Sequence, residues 1–267
     1  MPEAAVPEIA APPALQTLGL TKRFARTAPP VLERIDLSVP RNQFVCLLGG
    51  SGCGKTTLLR LLAGLEKAEA GRVRIDGEDV KGPGGKQSMV FQNYGLLPWR
   101  TVLGNVELGL EVRGASRQAR RNTARLNIER VGLAGFEQHY PHQLSGGMQQ
   151  RVALARAFAK DPSVLLMDEP FAAVDMQTRE LLQGELLDIW SSVLTTVVFV
   201  THSIDEAIFL SDRVIVLAPR PGRIVLDVLT DLPRPRGEHD KGSAQFVSLQ
   251  RRLRDALREG NPALRRD

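Results

Sequence analysis

Residues 49–56 read Gly-Gly-Ser-Gly-Cys-Gly-Lys-Thr, and they constrain this chain more than any other stretch. Glycine, four residues, then Gly-Lys-Ser/Thr is the pattern of a phosphate-binding loop, and it carries that meaning only between a strand and a helix. Both flanks comply. Phe44–Leu48 is an apolar run of strand length, and Thr57–Ala63 is dominated by good helix formers. Gly49, Gly50, Gly52 and Gly54 allow the backbone to curl its N–H groups inward past Ser51 and Cys53, while the helix start adds partial positive charge. Lys55 can reach the β- and γ-phosphates of a nucleotide, and the Thr56 hydroxyl can ligate Mg²⁺. The nucleotide-binding set therefore runs from Gly49 through Thr57.

Four apolar runs share one pattern, each of strand length and each ending in a residue that can do chemistry. Phe44–Leu48 leads to the loop, Ser88–Phe91 to Gln92, Val164–Met167 to Asp168 and Glu169, and Val197–Val200 to Thr201 and His202. Continuous apolar runs suit strands buried on both faces of a parallel sheet. Ligands bind outside the carboxyl ends of such strands, so the four polar ends are expected to converge on one nucleotide. Leu15–Leu20, Leu32–Val39 and Arg72–Ile75 instead alternate, with an Asp76-Gly77 turn, so the early chain reads as β-rich and partly antiparallel.

Between Gln92 and Asp161 the pattern is helical. Ser116–Val131 is Arg-rich, and Ser145 stands at the N-cap of an Ala-rich helix running towards Lys160. Gly146 and Gly147 at that helix start leave backbone N–H groups open to an anion. Thr178–Trp190 follows Asp175 as a helix, Arg213–Leu217 and Arg223–Val228 read as a closing hairpin, and Phe246, Leu249, Leu253 and Leu257 share one face of a terminal helix. The expected class is α/β: a P-loop NTPase core with a mainly parallel sheet, an antiparallel β subdomain and an inserted α-helical subdomain. The expected boundaries are a disordered tail over 1–14, the nucleotide-binding domain over 15–235 with 93–160 as the helical subdomain, and a C-terminal helical tail over 236–267.

Composition narrows the class. Hydrophobic residues make up 43% of the chain, enough for a core. No apolar run approaches the roughly 20 residues of a membrane span. The Pro- and Ala-rich start lacks the basic-then-apolar order of a secretory signal, so the expectation is a cytoplasmic protein without its own anchor. Cys46 falls in a buried strand and Cys53 in the phosphate loop, which argues against a disulfide. The net charge of +5 leaves nucleic acid or an anionic membrane surface open. The arginine clusters Arg113–Arg130 and Arg251–Arg266 read better as solvated helix faces.

Taken in order, the phosphate loop, Gln92, Leu144-Ser145-Gly146-Gly147-Met148-Gln149-Gln150, Met167-Asp168-Glu169-Pro170 and His202 resemble the motif series of ABC transporter ATPases. The resemblance spans about residues 15–235. Phe91–Arg100, Thr201–Ala207 and Pro219–Ile224 are similar to the importer ATPases of the nitrate, sulfonate and taurine type. Ala172-Ala173-Val174-Asp175 departs from the commoner Ala-Leu-Asp ending of its loop but keeps the aspartate.

The resemblance implies an ABC ATPase cassette: a head-to-tail homodimer with two ATP molecules and Mg²⁺ at the interface. In each site one chain would supply the phosphate loop, and the other Ser145, Gly146 and Gly147, with Asp175 in the neighbouring loop. Thr56 would hold Mg²⁺ with Asp168, through water, and with Gln92, which would also sense the γ-phosphate. Glu169 would be the general base, and His202 would hold Glu169 and contact the γ-phosphate. Phe24 would stack on adenine, or else pack in the core. Leu96, Leu97 and Trp99 would dock a helix of the membrane subunit, or else belong to the helical subdomain's core. The implied partners are two membrane-spanning permease subunits and, indirectly, a substrate-binding protein, with no nucleic acid. The implied location is peripheral, at the cytoplasmic face of the inner membrane. The implied function is ATP-driven import of a small anion such as a sulfonate, taurine or nitrate. The alternative is a soluble ABC-type ATPase acting on ribosomes or nucleic acid. A single motif set and the lack of a heptad run count against it.

Overall fold

The computed structural model describes residues 12–25, 27–172 and 174–260, so most of the expected N-terminal tail, Ala173 and residues 261–267 lie outside the described residues. In chain order the elements are β1 (Leu15–Lys22), β2 (Leu32–Val39), β3 (Phe44–Gly49), α1 (Lys55–Leu62), β4 (Ala70–Ile75), β5 (Glu78–Asp79), β6 (Gln87–Val90), α2 (Val102–Val112), α3 (Arg117–Arg130), α4 (Gly146–Phe158), β7 (Val164–Asp168), α5 (Met176–Val193), β8 (Thr196–Thr201), α6 (Ile204–Leu210), β9 (Arg213–Leu217), β10 (Ile224–Leu229) and α7 (Ala244–Glu259).

They form two sheets. The antiparallel one runs β2-β1-β4-β5, and the larger runs β10-β9-β3-β8-β7-β6. Within the larger sheet every pairing from β9 to β6 is parallel, and only the edge strand β10 is antiparallel. The mainly parallel core and the antiparallel subdomain anticipated from the sequence are both present.

The apolar runs are buried on both faces because each face has its own cover. Along β3, Phe44, Cys46 and Leu48 join a core with residues of α2 and α4–α7, while Val45 and Leu47 point into a second core with α1, β1 and β2. Alternate residues of a strand point to opposite faces, so one continuous run feeds two cores. Each fully buried Leu or Phe contributes about 1.5–3 kcal/mol. The strands are thereby held rigidly, and their carboxyl ends become a fixed platform.

α7 is docked rather than trailing: Phe246, Leu249 and Leu253 are buried in the first core beside α6 and β9. Helix α3 turns Ala124 and Ile128 inward and leaves Arg117, Arg125 and Arg130 exposed, and Arg251, Arg252, Arg254 and Arg258 of α7 are also exposed. The arginines just named form solvated faces, whereas Arg120 and Arg121 are half-buried, 3.8 and 3.9 Å from Glu107 of α2. Among the described residues no helix is long and apolar enough to cross a membrane.

Candidate functional site

The phosphate loop leaves β3 at Gly49 and enters α1 at Lys55. Gly54, the residue before α1, has φ of 98°, a left-handed conformation that an L side chain resists. It offers α1 no side-chain cap. The other six α-helices among the described residues all start with one: Thr101, Ser116, Ser145, Asp175, Ser203 and Ser243 each accept a hydrogen bond from a first-turn N–H. The first N–H groups of α1 are therefore free for an anion, with the helix dipole behind them. Lys55 is buried, and its ammonium donates to the carbonyls of Gly49 at 2.7 Å and Gly50 at 3.2 Å. A cavity of about 550 Å³ opens here, lined by Ser51–Thr57 together with Glu169, Ala28–Val31 and Arg220.

Strands β8 and β7 lie successively beside β3 and bring their ends to the same place. Asp168, the last residue of β7, accepts a hydrogen bond from Thr56 Oγ1 at 3.1 Å. Burial pushes the Asp168 carboxyl above the usual carboxylate range, with the Thr56 bond pulling the other way. Glu169 has φ of 44°. A left-handed conformation in a non-glycine residue costs about 1–3 kcal/mol, and such strain clusters at functional sites. Its N–H donates to Val200 at 3.1 Å, so the turn is tied to β8. One carboxylate oxygen lies 3.9 Å from Lys55 Nζ and the other 3.0 Å from His202 Nδ1. An ionised Glu169 can only accept, so it selects the tautomer with a proton on Nδ1 and leaves Nε2 free.

A buried network supports the His202 turn. Thr201 Oγ1 donates to Glu206 at 2.5 Å and accepts from the Ser203 N–H at 3.0 Å. The second Glu206 oxygen lies 3.8 Å from Arg179 Nε, and Arg179 donates to the carbonyl of Val174 at 2.8 Å. Burial raises the Glu206 carboxyl above its ordinary value. Neither residue has a role legible in the sequence: Glu206 lies in the Thr201–Ala207 segment similar to the importer ATPases, and Arg179 resembles a surface charge near a helix start.

Ser145, Gly146 and Gly147 lie elsewhere, in a separate cavity of about 610 Å³ that also takes in Asp175 and Thr178. Ser145 Oγ accepts from Met148 N at 3.3 Å, and Asp175 accepts from Thr178 N at 3.0 Å, which holds its carboxyl below the usual range. An ion pair from Arg151 to Glu185 ties α4 to α5 beside it. The fold therefore gathers the phosphate loop, Asp168, Glu169 and His202, and keeps Ser145–Gly147 apart from them.

Two further residues line neither cavity. Gln92 is exposed just past β6. Phe24 is 62% exposed beyond β1, with Lys22 Nζ 4.9 Å from its ring centre, which removes the core-packing alternative. The same correction applies to Trp99, 71% exposed, whereas Leu96 is partly buried against the first core. The Ala28–Val31 wall and Arg220 were not singled out from the sequence. Arg220 falls in the Pro219–Ile224 segment that is similar to the importer ATPases, but no role attaches to it there, and both reach the cavity only through the fold.

This is the arrangement of a P-loop nucleoside triphosphatase. The sequence model of the ABC transporter family matches residues 32–172. An uncharacterised ABC transporter ATP-binding protein of Methanocaldococcus jannaschii is 53% identical over 92% of this chain and 91% of its own length. The nitrate import ATP-binding protein NrtD of Synechocystis is 48% identical, over 76% of each chain. The taurine import ATP-binding protein TauB of Yersinia pestis is 50% identical over 73% of this chain and 77% of its own. Among solved structures, the post-hydrolysis dimer of the ATP-binding cassette MJ0796 with ADP and Pi aligns with a TM-score of 0.69 and 33% identity, covering 80% of this chain and 98% of that one. The chain belongs to the ABC transporter family, and it is an ATPase of that family.

Proposed function

We propose that this chain is the ATP-hydrolysing subunit of an ABC importer that takes up a small anion, with a sulfonate, taurine or nitrate as the cargo class. The observation that carries the proposal is the pair of glycine-led helix starts in separate cavities of one chain, α1 without a side-chain cap and α4 with Gly146 and Gly147 ahead of the capped Met148 N–H. One lies at the phosphate loop and the other at Ser145–Gly147. Two half-sites are complementary if two copies pack head to tail, each completing the other's site. The names of NrtD and TauB support the cargo class.

The geometry supports a role for each residue. The phosphate loop and the uncapped start of α1 hold the phosphates, and Lys55 turns from the carbonyls of Gly49 and Gly50 to them. Thr56 and Asp168 fit Mg²⁺. Among the described residues no cluster of three or more His, Cys, Asp or Glu could hold a metal, and Mg²⁺ needs none, since it takes one or two protein oxygens plus phosphates and water. When bound, the ion would neutralise charge on the phosphates. Glu169 takes a proton from the attacking water. His202 orients Glu169 through Nδ1 and leaves Nε2 for the γ-phosphate, and Gln92 closes on the site from its exposed loop.

The membrane side is assigned to the segment after Gln92. The buried Asn105 side chain accepts from Leu97 N at 2.8 Å and donates to the carbonyls of Leu97, Arg100 and Thr101. Arg156 clamps the carbonyls of Tyr94 and Gly95. A turn pinned in this way presents Trp99 to a helix of one of two permease subunits at the cytoplasmic face of the membrane. A substrate-binding protein would deliver cargo from the other side. The test is native purification from gently solubilised membranes. A co-purifying multi-span protein that raises the ATPase rate supports the importer. Ribosomes or nucleic acid in its place would overturn it in favour of a soluble ABC-type ATPase.

A further inference from the structure

Arg220 lies in the short connection between β9 and β10, far in sequence from the phosphate loop. Strand β9 pairs in parallel with β3, with Leu217 opposite Gly49, so this connection emerges beside the start of the loop. It is clamped there. Gly222 donates to the Val31 carbonyl at 2.8 Å and accepts from Glu33 N at 3.1 Å. Its backbone is so close to the phosphate loop that a Cβ on Gly222 would stand 2.3 Å from the Cys53 carbonyl oxygen. Arg223, the next residue, is tied to Glu33 at 2.5 Å.

The side chain of Arg220 points at the nucleotide cavity. It lines that cavity with Lys55, Thr56 and Glu169, and its guanidinium lies 3.8 Å from the position a Cβ on Gly52 would take. Three arginines of β9 and of the segments flanking β10 are paired: Arg213 with Asp227, Arg223 with Glu33, Arg234 with Asp212. Arg220 has no hydrogen bond or ion pair among the described residues. Its φ is 34°, a left-handed conformation that a glycine would adopt without penalty. A strained arginine, fixed beside a phosphate cradle and without a carboxylate of its own, suits a planar fork that binds phosphate oxygens in pairs.

We infer that Arg220 is a second cation for the phosphate chain of ATP, supplied from the β9–β10 connection and acting beside Lys55. This rests on the ATPase reading above. It makes Arg220 a substrate-binding residue that grips ATP and ADP alike, because Gly52 lies in the body of the loop rather than at Glu169, where the chemistry occurs.

The test is calorimetric binding of ADP and steady-state hydrolysis of ATP by the full chain, with Arg220→Gln, Arg220→Lys, Arg220→Gly and Lys55→Ala. Arg220 is exposed, which puts its charge-assisted hydrogen bond to phosphate at the weak end of its class, so Arg220→Gln weakens ADP about 10-fold. KM for ATP rises by a similar factor, more than kcat falls. Lysine keeps the charge but loses the fork and gives an intermediate loss. The glycine variant weakens ADP as the glutamine variant does, yet does not lower Tm, because it relieves the left-handed strain. ADP affinity and KM unchanged in Arg220→Gln, with binding abolished in Lys55→Ala, would sink this inference and leave the ATPase reading standing. A drop in Tm that tracks the loss of affinity across all three Arg220 variants would also sink it, since the residue would then be structural. Lys55→Ala binding ADP normally would overturn the ATPase reading itself.

Discussion

Replacing Glu169 by glutamine separates binding from chemistry, and the structure gives the size of each effect. The carboxylate lies 3.9 Å from the Lys55 ammonium. At an effective dielectric of about 20, opposite charges at that distance attract by about 4 kcal/mol. Glutamine has nearly the same shape, keeps an oxygen for His202 Nδ1 and carries the same left-handed backbone penalty, so the turn keeps its geometry. It surrenders the attraction to Lys55, which frees the ammonium for phosphate, so ATP affinity is equal or tighter. It cannot take a proton from water. Loss of a general base costs about 10²- to 10⁴-fold, or about 3–5 kcal/mol of barrier. The assay pairs phosphate release under saturating ATP with equilibrium ATP binding and size-exclusion chromatography. The expected outcome is turnover below about one hundredth of wild type, intact binding, and a dimer that persists in ATP. Turnover within about 10-fold of wild type would refute the assignment of Glu169 as base. ATP affinity lost in parallel would show instead that its charge organises the loop.

Two further predictions test the supporting structure. Burial raises the Glu206 carboxyl, so the folded chain keeps a proton that the unfolded chain has released. Stability from this group is therefore present at low pH and lost as pH rises through the raised value. Thermal melts over the mildly acidic to neutral range should show Glu206→Gln with a flatter pH dependence than wild type, and an identical slope in the two would exclude Glu206 as its carrier. Ser145→Ala removes the cap of α4, costing about 1 kcal/mol and about 2–4 °C in Tm. ADP binding to the isolated chain is expected to persist, because Ser145 lies outside the phosphate-loop cavity. Lost binding would contradict the two-half-site arrangement.

Much of the site was legible in the sequence because its chemistry sits at element boundaries. The phosphate loop, the ends of β7 and β8, and the caps Ser145 and Asp175 are local features, set by strand length, glycine placement and capping propensity. Three of the four apolar runs named central strands, β3, β7 and β8, for the same reason, while the fourth is the edge strand β6. A strand buried on both faces has no polar alternation, and that shows within the five or six residues of β3, β7 and β8.

What the sequence could not decide was packing. Phe24 and Trp99 each had two readings, adenine stacking or core for Phe24 and helix docking or core for Trp99, because local pattern does not say whether an aromatic side chain packs inside. The tertiary structure left both exposed. Glu206 and Arg179 were indistinguishable from surface charges until β8, α5 and α6 came together around them. Arg220 reached the nucleotide cavity only because β9 pairs with β3, across more than half the chain. Local propensity and periodicity are written in neighbouring residues, whereas register between distant strands and burial of a charge arise only when the chain has closed on itself.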